Sequence, residues 1–508
     1  MRCIRSATLA SALAFGANSL FAQSAALDAA AQAMGGKDRV LAIRTLILEG
    51  AGDNLNFGQN LTPYAETKFE VTSFRRSFDF PNRRWFLDQT RVPRFVTGNT
   101  LPQRQRQGLD GAPNGIAYNI GGGPPPSPGQ QPPSTMTRVG GQASTDRMFE
   151  FLYHPVGFVK AAYRDGTGIS EEAAPNNMRL VRITPGGDKL AMLVDGRTNL
   201  PVRVERMVYQ PMLGDVTLFT EFSDWRDVGG LKLPMRMTQK YENMFTLSDI
   251  RLTSTKVDED VGNIGVTDSI RNAAQQGGAP AGAATPPAPT ITVDTVAPGV
   301  WRIAGQTHHT IAIELSNQVV LVEAPQNDAR TLAAIAKARE LRPNKPLDLL
   351  INTHHHFDHS GGLRAAISQG LTIVTHQGNM EFYEKVVYPR KHLMQPDALQ
   401  QNPKPLKLRS VGQTHVINDP MRTIEIHHVA GNPHNGSMLI VYLPAEKILI
   451  QADLYNPPAA GAINPVSPFA ANLLEVIQRK RLQVERVVGI HGNPVTFSEF
   501  QAAAARGP

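Results

Sequence analysis

Cysteine is all but missing: Cys3 is the only one in 508 residues. The body of the chain therefore has no internal disulfide framework, no Cys-based zinc ribbon and no catalytic thiol. Any metal must be held by His, Asp and Glu. Aromatic residues make up only 6% and do not alternate with arginine or lysine, so the stacking platform of a nucleic-acid binder is lacking. Basic groups such as Arg75-Arg76, Arg83-Arg84 and Arg479-Lys480-Arg481 read as solvated faces, and nucleic acid is not an expected partner. After the N-terminus no apolar run approaches the ~20 residues that cross a bilayer. Glycine (43) and proline (38) follow no G-X-Y period, which excludes a collagen-like chain. What is present, 41% hydrophobic and 19% charged residues, is enough for two or three cores.

The opening MRCIRSATLASALAFGANSLFAQ has two arginines, an apolar run and a small-residue step at Leu20-Phe21-Ala22, the pattern of a secretory signal peptide over 1–22. A periplasmic or secreted product is expected. Ala25 to Ile43 has helical spacing broken by Gly35-Gly36. From Thr45 to about Asp258, apolar and polar residues alternate between turn signals such as Pro185-Gly186-Gly187-Asp188 and Asp195-Gly196-Arg197, which predicts an antiparallel sheet with one buried face. Residues 25–265 are read as this β-rich unit. Within it 101–144, rich in Gly, Pro and Gln, is expected to be a mobile loop without a core. The Ala/Gly/Pro-rich stretch 266–290 reads as an exposed linker. From 291 to 508 strand and helix patterns alternate, as in a mixed α and β unit.

Thirteen of the fourteen histidines follow that linker; His154 alone precedes it. The densest group, Thr353-His354-His355-His356-Phe357-Asp358-His359-Ser360-Gly361-Gly362, comes directly after the apolar strand pattern Leu349-Leu350-Ile351. Loops at the carboxyl ends of strands are where α/β proteins bind ligands, and alternate residues of an extended segment point the same way. His354, His356 and Asp358 thus converge on one side while His359 begins the turn, so one cluster can supply ligands to two metals. His308 and His309, after Gly305, are candidates for the pocket border. His355, His376, His392, His415, His427 and His428 read as packing or surface residues.

The pattern His354-X-His356-X-Asp358-His359 resembles the signature of the metallo-β-lactamase-fold hydrolases, which include glyoxalase II, lactonases and zinc β-lactamases. The resemblance runs from about Thr290 to Pro508. Gly431-Asn432-Pro433-His434-Asn435-Gly436-Ser437 is similar to the family's Gly-His-Thr segment and matches at His434, Gly436 and Ser437, with Pro433-His434 where the family has a Gly-His step. Ala452-Asp453 resembles the segment with a bridging aspartate, and Val488-Gly489-Ile490-His491-Gly492 the last strand-end histidine. The resemblance implies an αββα sandwich with one metal on His354, His356 and His434, another on Asp358, His359 and His491, and Asp453 between them. It implies two Zn2+, with Fe or Mn as alternatives. Without a cysteine ligand the cysteine-bearing zinc β-lactamases are excluded. Glu323 stands where many members carry an aspartate and is read as structural. The 25–265 unit resembles, in general outline, a half-barrel of the lipoprotein-carrier type, whose concave apolar face would take a lipid or acyl chain or merely position the hydrolase.

The overall expectation is an α+β protein, an antiparallel β half-barrel followed by an αββα sandwich. Zinc lowers the pKa of bound water to about 7, and the metal-bound hydroxide would attack a small-molecule carbonyl substrate: a lactone, thioester, ester or amide. Asp358 and Asp453 would act as catalytic carboxylates, and Tyr455 is weighed as a hydrogen-bond donor or as a packing aromatic. Two alternatives come with the same residues: a non-haem iron oxygenase on His354, His434 and Asp453, and a non-enzymatic carrier.

Overall fold

The alternation that begins at Thr45 becomes strand Thr45–Leu55, which pairs antiparallel with Lys68–Asp79 on one side and Phe245–Val257 on the other. In the computed structural model, which describes residues 24–66, 68–94, 102–111, 115–121, 135–164, 167–273, 289–305, 307–457 and 467–505, the chain steps outward from this centre to the edge strand Met136–Val139. Helices Gly141–Met148 and Pro155–Ala162 carry it to the opposite edge, Ile169–Ala174. Successive strands then return until Phe245–Val257 closes on the first. Among the described residues this makes one 13-stranded antiparallel sheet. Leu27 of helix Ala25–Ala33, Met34 at its C-terminal end, and Val156 and Phe158 of helix Pro155–Ala162 pack on Leu46, Phe78, Trp85 and Val204 of the sheet, all buried. Each such side chain contributes roughly 1.5–3 kcal/mol.

The expected signal segment 1–22 lies outside the described residues. The reading of 101–144 as a coreless loop needs correction. Gln103–Asp110, Ile116–Ile120 and Met136–Val139 are strands of the large sheet, and Leu109, Ala117 and Tyr118 are buried. The glycine-proline run at 122–134 lies outside the described residues. A cavity of about 270 Å³ against the sheet is lined by Gln89, Gln105, Gln107, Gln239 and Arg76 as well as by Leu48 and Phe74, so this face is not uniformly apolar. Of the stretch 266–290, 274–288 lies outside the described residues. Asp268–Arg271 is a helical turn tied to the large sheet through Arg271 and Asp110 at 3.1 Å.

The C-terminal part contains two further sheets. In the first, Val319–Val322, Leu347–Ile351, Thr372–His376 and Lys407–Val411 run parallel, with Thr292–Ala297, Val300–Ala304 and Thr310–Glu314 added antiparallel. The second is built on Thr414–Asn418, Thr423–His428, Leu439–Leu443, Ile448–Gln451, Arg486–Gly489 and Val495–Thr496. Both central sequences, Val-Val-Leu-Val and Leu-Ile-Val-Tyr-Leu, are buried throughout, which requires cover on both faces. Val320, Val322 and Ile351 meet Ile426, Val441 and Ile450 of the other sheet. Alternate residues Val319, Leu321 and Leu350 face Ile335 and Ile367 of helices Asp328–Leu341 and Leu363–Ser368. The core beneath those helices also takes in Val208 and Phe245 of the large sheet and Met212 and Leu213 of the turn between its strands Pro201–Gln210 and Gly214–Val228. The two parts of the chain therefore share a core, and Arg390–Glu242 at 2.8 and 3.0 Å adds a bidentate pair across the boundary.

Candidate metal centre

Strand ends deliver the ligand-type residues. Leu347–Ile351 runs into His354, His356, Asp358 and His359; Ile448–Gln451 leads to Asp453, and Arg486–Gly489 to His491. His434 comes from the turn before Leu439–Leu443, where Asn432 Oδ1 accepts from the His434 amide at 2.9 Å. Close approach of the first segment depends on Gly362: a Cβ there would lie 1.9 Å from Thr331 Oγ1. Asp453 sits in the left-handed region at φ 60, in a tight turn where Leu454 N donates to Ala452 O at 2.7 Å. Gln451 Oε1 accepts from the amides of Leu454 and Tyr455. Holding a non-glycine residue there costs about 1–3 kcal/mol and turns the carboxylate into the cluster.

All seven expected ligands are brought together. His354, His356, His434 and Asp453 form one group, and Asp358, His359 and His491 form another with His308; within each, the potential ligand atoms lie within 4.8 Å of one another. Asp453 joins the two. Its Oδ2 lies 2.9 Å from His359 Nε2, 3.1 Å from His434 Nε2 and 3.4 Å from His354 Nε2, while Oδ1 lies 2.8 Å from His491 Nε2. The nitrogens His359 Nε2 and His491 Nε2 are 3.2 Å apart.

The imidazoles are oriented from behind. His491 Nδ1 donates to Thr307 O at 2.9 Å, His359 Nδ1 to Glu323 Oε2 at 3.3 Å, and His356 Nε2 to Asn60 O at 2.9 Å. His354 Nδ1 donates to Thr353 Oγ1 at 3.0 Å, which donates in turn to Glu323 Oε2 at 2.6 Å. Fixing one ring nitrogen as a donor leaves the other as a lone pair for a cation. Two of those facing nitrogens, His354 Nε2 and His356 Nδ1, are buried without a hydrogen-bond partner. The donor set is therefore suited to divalent cations bound by nitrogen and oxygen.

Electrostatics agree. Burial pushes His354 down to about 4, with His359 adding to the effect, and burial holds His356 well below its ordinary value. Both are neutral, as ligation requires. Burial alone would raise the Asp453 carboxyl, but the surrounding His359, His354 and His434 keep it far below the usual range. Burial opposes charge on His359 as well; Asp453 and Glu323 on either side outweigh it and raise that ring well above its ordinary value.

Three residues take part that the sequence did not single out as ligands or orienting groups. Glu323, at φ 82 and buried, accepts from Asn352 Nδ2, Thr353 N, Thr353 Oγ1 and His359 Nδ1. Gln59 Nε2 donates to Asp358 Oδ1 at 2.6 Å. Asn60 supplies the carbonyl behind His356. His308 lies in the cluster, 3.2 Å from Asp358 Oδ2, whereas His309 Nδ1 turns to Gly305 N. Tyr455 is not a site donor: it packs on Phe500 with ring centroids 5.4 Å apart.

The family profile described as Metallo-beta-lactamase superfamily matches residues 305–491. A search of curated protein sequences finds no match. Among solved structures, the metallo-beta-lactamase FIM-1 from Pseudomonas aeruginosa in its mono-zinc form is 19% identical, covering 43% of this chain and 95% of that one, with a TM-score of 0.33. The metallo-beta-lactamase from Pontibacter korlensis is 18% identical, covering 42% and 98%, also with a TM-score of 0.33. DIM-1 metallo-beta-lactamase is 16% identical, covering 43% and 96%, with a TM-score of 0.32. The segment that matches the metallo-beta-lactamase superfamily profile, 305–491, contains every clustered His and Asp described above.

Proposed function

We propose that the protein is an exported hydrolase that binds two zinc ions and cleaves a carbonyl substrate, a lactone, thioester, ester or amide, within an αββα sandwich that follows a half-barrel. The units are taken as 25–265 and 291–508. The observation that carries this reading is the pair of His/Asp groups joined by Asp453, with the backing N–H groups of His354, His356, His359 and His491 already committed elsewhere. Bound cations lower the pKa of water so that hydroxide is available near neutrality, and polarise the carbonyl. Asp358, its Oδ1 held by Gln59, turns Oδ2 toward His308 and His359, where it would hold a cation and orient the attacking water. Asp453 would take a proton and pass it to the leaving group. No serine or cysteine nucleophile is needed. Export rests on the sequence of residues 1–22, and N-terminal sequencing of the fractionated product checks it.

The deciding experiment measures metal content together with hydrolysis of chromogenic lactams, lactones, thioesters and phosphodiesters, for wild type and Asp358→Ala. Two equivalents of zinc, with carbonyl hydrolysis that falls at least 100-fold in the variant, support the proposal. Iron with oxygen uptake replaces it by an oxygenase, and a metal-free protein that extracts lipid replaces it by a carrier.

A further inference from the structure

The connection between strands Thr45–Leu55 and Lys68–Asp79 leaves the large sheet and lies against the metal cluster. Phe57 is set among Phe245, Phe357 and Tyr241 with ring centroids 4.8, 4.9 and 5.4 Å away. Gly58, at φ +82, passes so close to Phe357 that a Cβ would lie 2.6 Å from the ring, and its carbonyl accepts from Phe357 N at 3.1 Å. The next residue, Gln59, reaches Asp358 Oδ1. Asn60 O accepts from both His356 Nε2 at 2.9 Å and Asn435 Nδ2 at 3.3 Å. Leu61 O accepts from Gly436 N at 2.7 Å. Five consecutive residues of one unit thus touch two of the ligand-bearing loops of the other, that of His354–His359 and that of His434.

We propose that the segment Phe57–Leu61 is a working part of the metal site, in which Gln59 is a positioning residue for Asp358 and the Asn60 carbonyl fixes the tautomer of His356. A neutral imidazole puts its proton on either nitrogen unless an acceptor selects one. The Asn60 carbonyl selects Nε2–H, which leaves the buried, unpartnered Nδ1 to the cation. Gln59 acts in the same way on a carboxylate, occupying Oδ1 and leaving Oδ2 toward His359 at 3.6 Å and His308 at 3.2 Å. The N-terminal unit then acts on the chemistry through this strap, which gives it a role other than carrying a ligand.

This inference rests on the cluster binding cations, so wild-type zinc binding is the first arm of the test. Its absence defeats the functional proposal itself. In the second arm, zinc is titrated into metal-free full-length Gln59→Ala and Gln59→Leu against a chromogenic chelator. Orienting partners behind metal ligands are typically worth 10–100-fold in affinity. The expected result is a loss of about that size at one of the two sites, with a changed d–d absorption spectrum when Co2+ replaces zinc. The melting temperature of the metal-free variants should be unchanged. Wild-type affinity and spectrum in both variants overturn the assignment. A third arm does not depend on substitution. If docking of the segment favours zinc, zinc must favour docking by the same factor. Amide exchange across 57–62 of the wild-type protein should therefore slow on adding zinc, and exchange that is identical with and without zinc also overturns it.

Discussion

Changing Glu323 to glutamine exchanges one oxygen for nitrogen, yet in this fold it should alter which nitrogen of His359 carries the proton. Four donors converge on the carboxylate, Asn352 Nδ2 and Thr353 N at Oε1, and Thr353 Oγ1 and His359 Nδ1 at Oε2. The Thr353 backbone amide cannot invert, and the Asn352 amide is held by Tyr383 Oη, which donates to its Oδ1 at 2.6 Å, and by its own Nδ2 donating to His359 O at 3.3 Å, so the glutamine keeps its oxygen on their side. Its NH2 then faces the Thr353 hydroxyl, which can rotate, and His359 Nδ1, which must become an acceptor. The ring proton moves to Nε2, the atom that faces Asp453 at 2.9 Å and His491 at 3.2 Å, and no lone pair is left for a cation. Hydrogen bonds to charged groups contribute about 1.5–3 kcal/mol each, so losing one and neutralising the rest should lower stability by about 2–4 kcal/mol. Metal affinity at the His359 site should fall about 10–100-fold. Glu323→Asp keeps the charge and tolerates positive φ better, so it should retain more of the affinity. Chelator competition on metal-free wild type and both variants measures this. Two equivalents of zinc bound by Glu323→Gln as tightly as by wild type would refute the reasoning.

Three other outcomes follow from the same structure. Burial, with Arg76 adding to it, pushes His154 down to about 3, whereas an unfolded chain titrates it near 6.5. The unfolded state therefore binds the extra proton, and stability that is complete above about pH 6.5 is lost as pH falls toward 3, by about 2 kcal/mol at pH 5. His154→Asn, which retains a side-chain acceptor for Val156 N, should flatten the change in urea midpoint between pH 7 and 5; an undiminished change would contradict this. Leu213 is fully buried in the core that the two parts share, so Leu213→Ala should cost about 2–5 kcal/mol and split the calorimetric transition in two, where a single unshifted peak is the opposing result. Free zinc at 100 times its Kd should stabilise the folded protein by about 2.7 kcal/mol, read as a melting temperature that drops when EDTA is added and recovers with zinc.

The first metal loop was legible because four ligand-type residues fall within six positions after an apolar strand. The distant ligands His434, Asp453 and His491 carried little local signal and were placed through the order of family landmarks. Gln103–Asp110 was misread for a physical reason. One of its faces lines a polar cavity, where Gln105 meets Gln89 at 2.7 Å, and much of the other is wet. Neither face then produces the apolar alternation that marks a strand. Gln59 and Asn60 are ordinary residues about 300 positions from the groups they hold, and only tertiary structure joins them. Glu323 was noticed as a variant of a structural position, but its four donors come from a segment about thirty residues away that sequence does not place beside it.

Strand Thr45–Leu55 lies in the interior of the large sheet, with five strands on one side of it and seven on the other. A loop launched from an edge would drift whenever the margin frays, since terminal strands have one neighbour and open first. Launched from the centre, it is clamped by its pairing on both flanks. Trimming the outermost strands should therefore spare the docked segment, whereas one misplaced residue in the central hairpin would be felt across the boundary, in the geometry of the cation ligands.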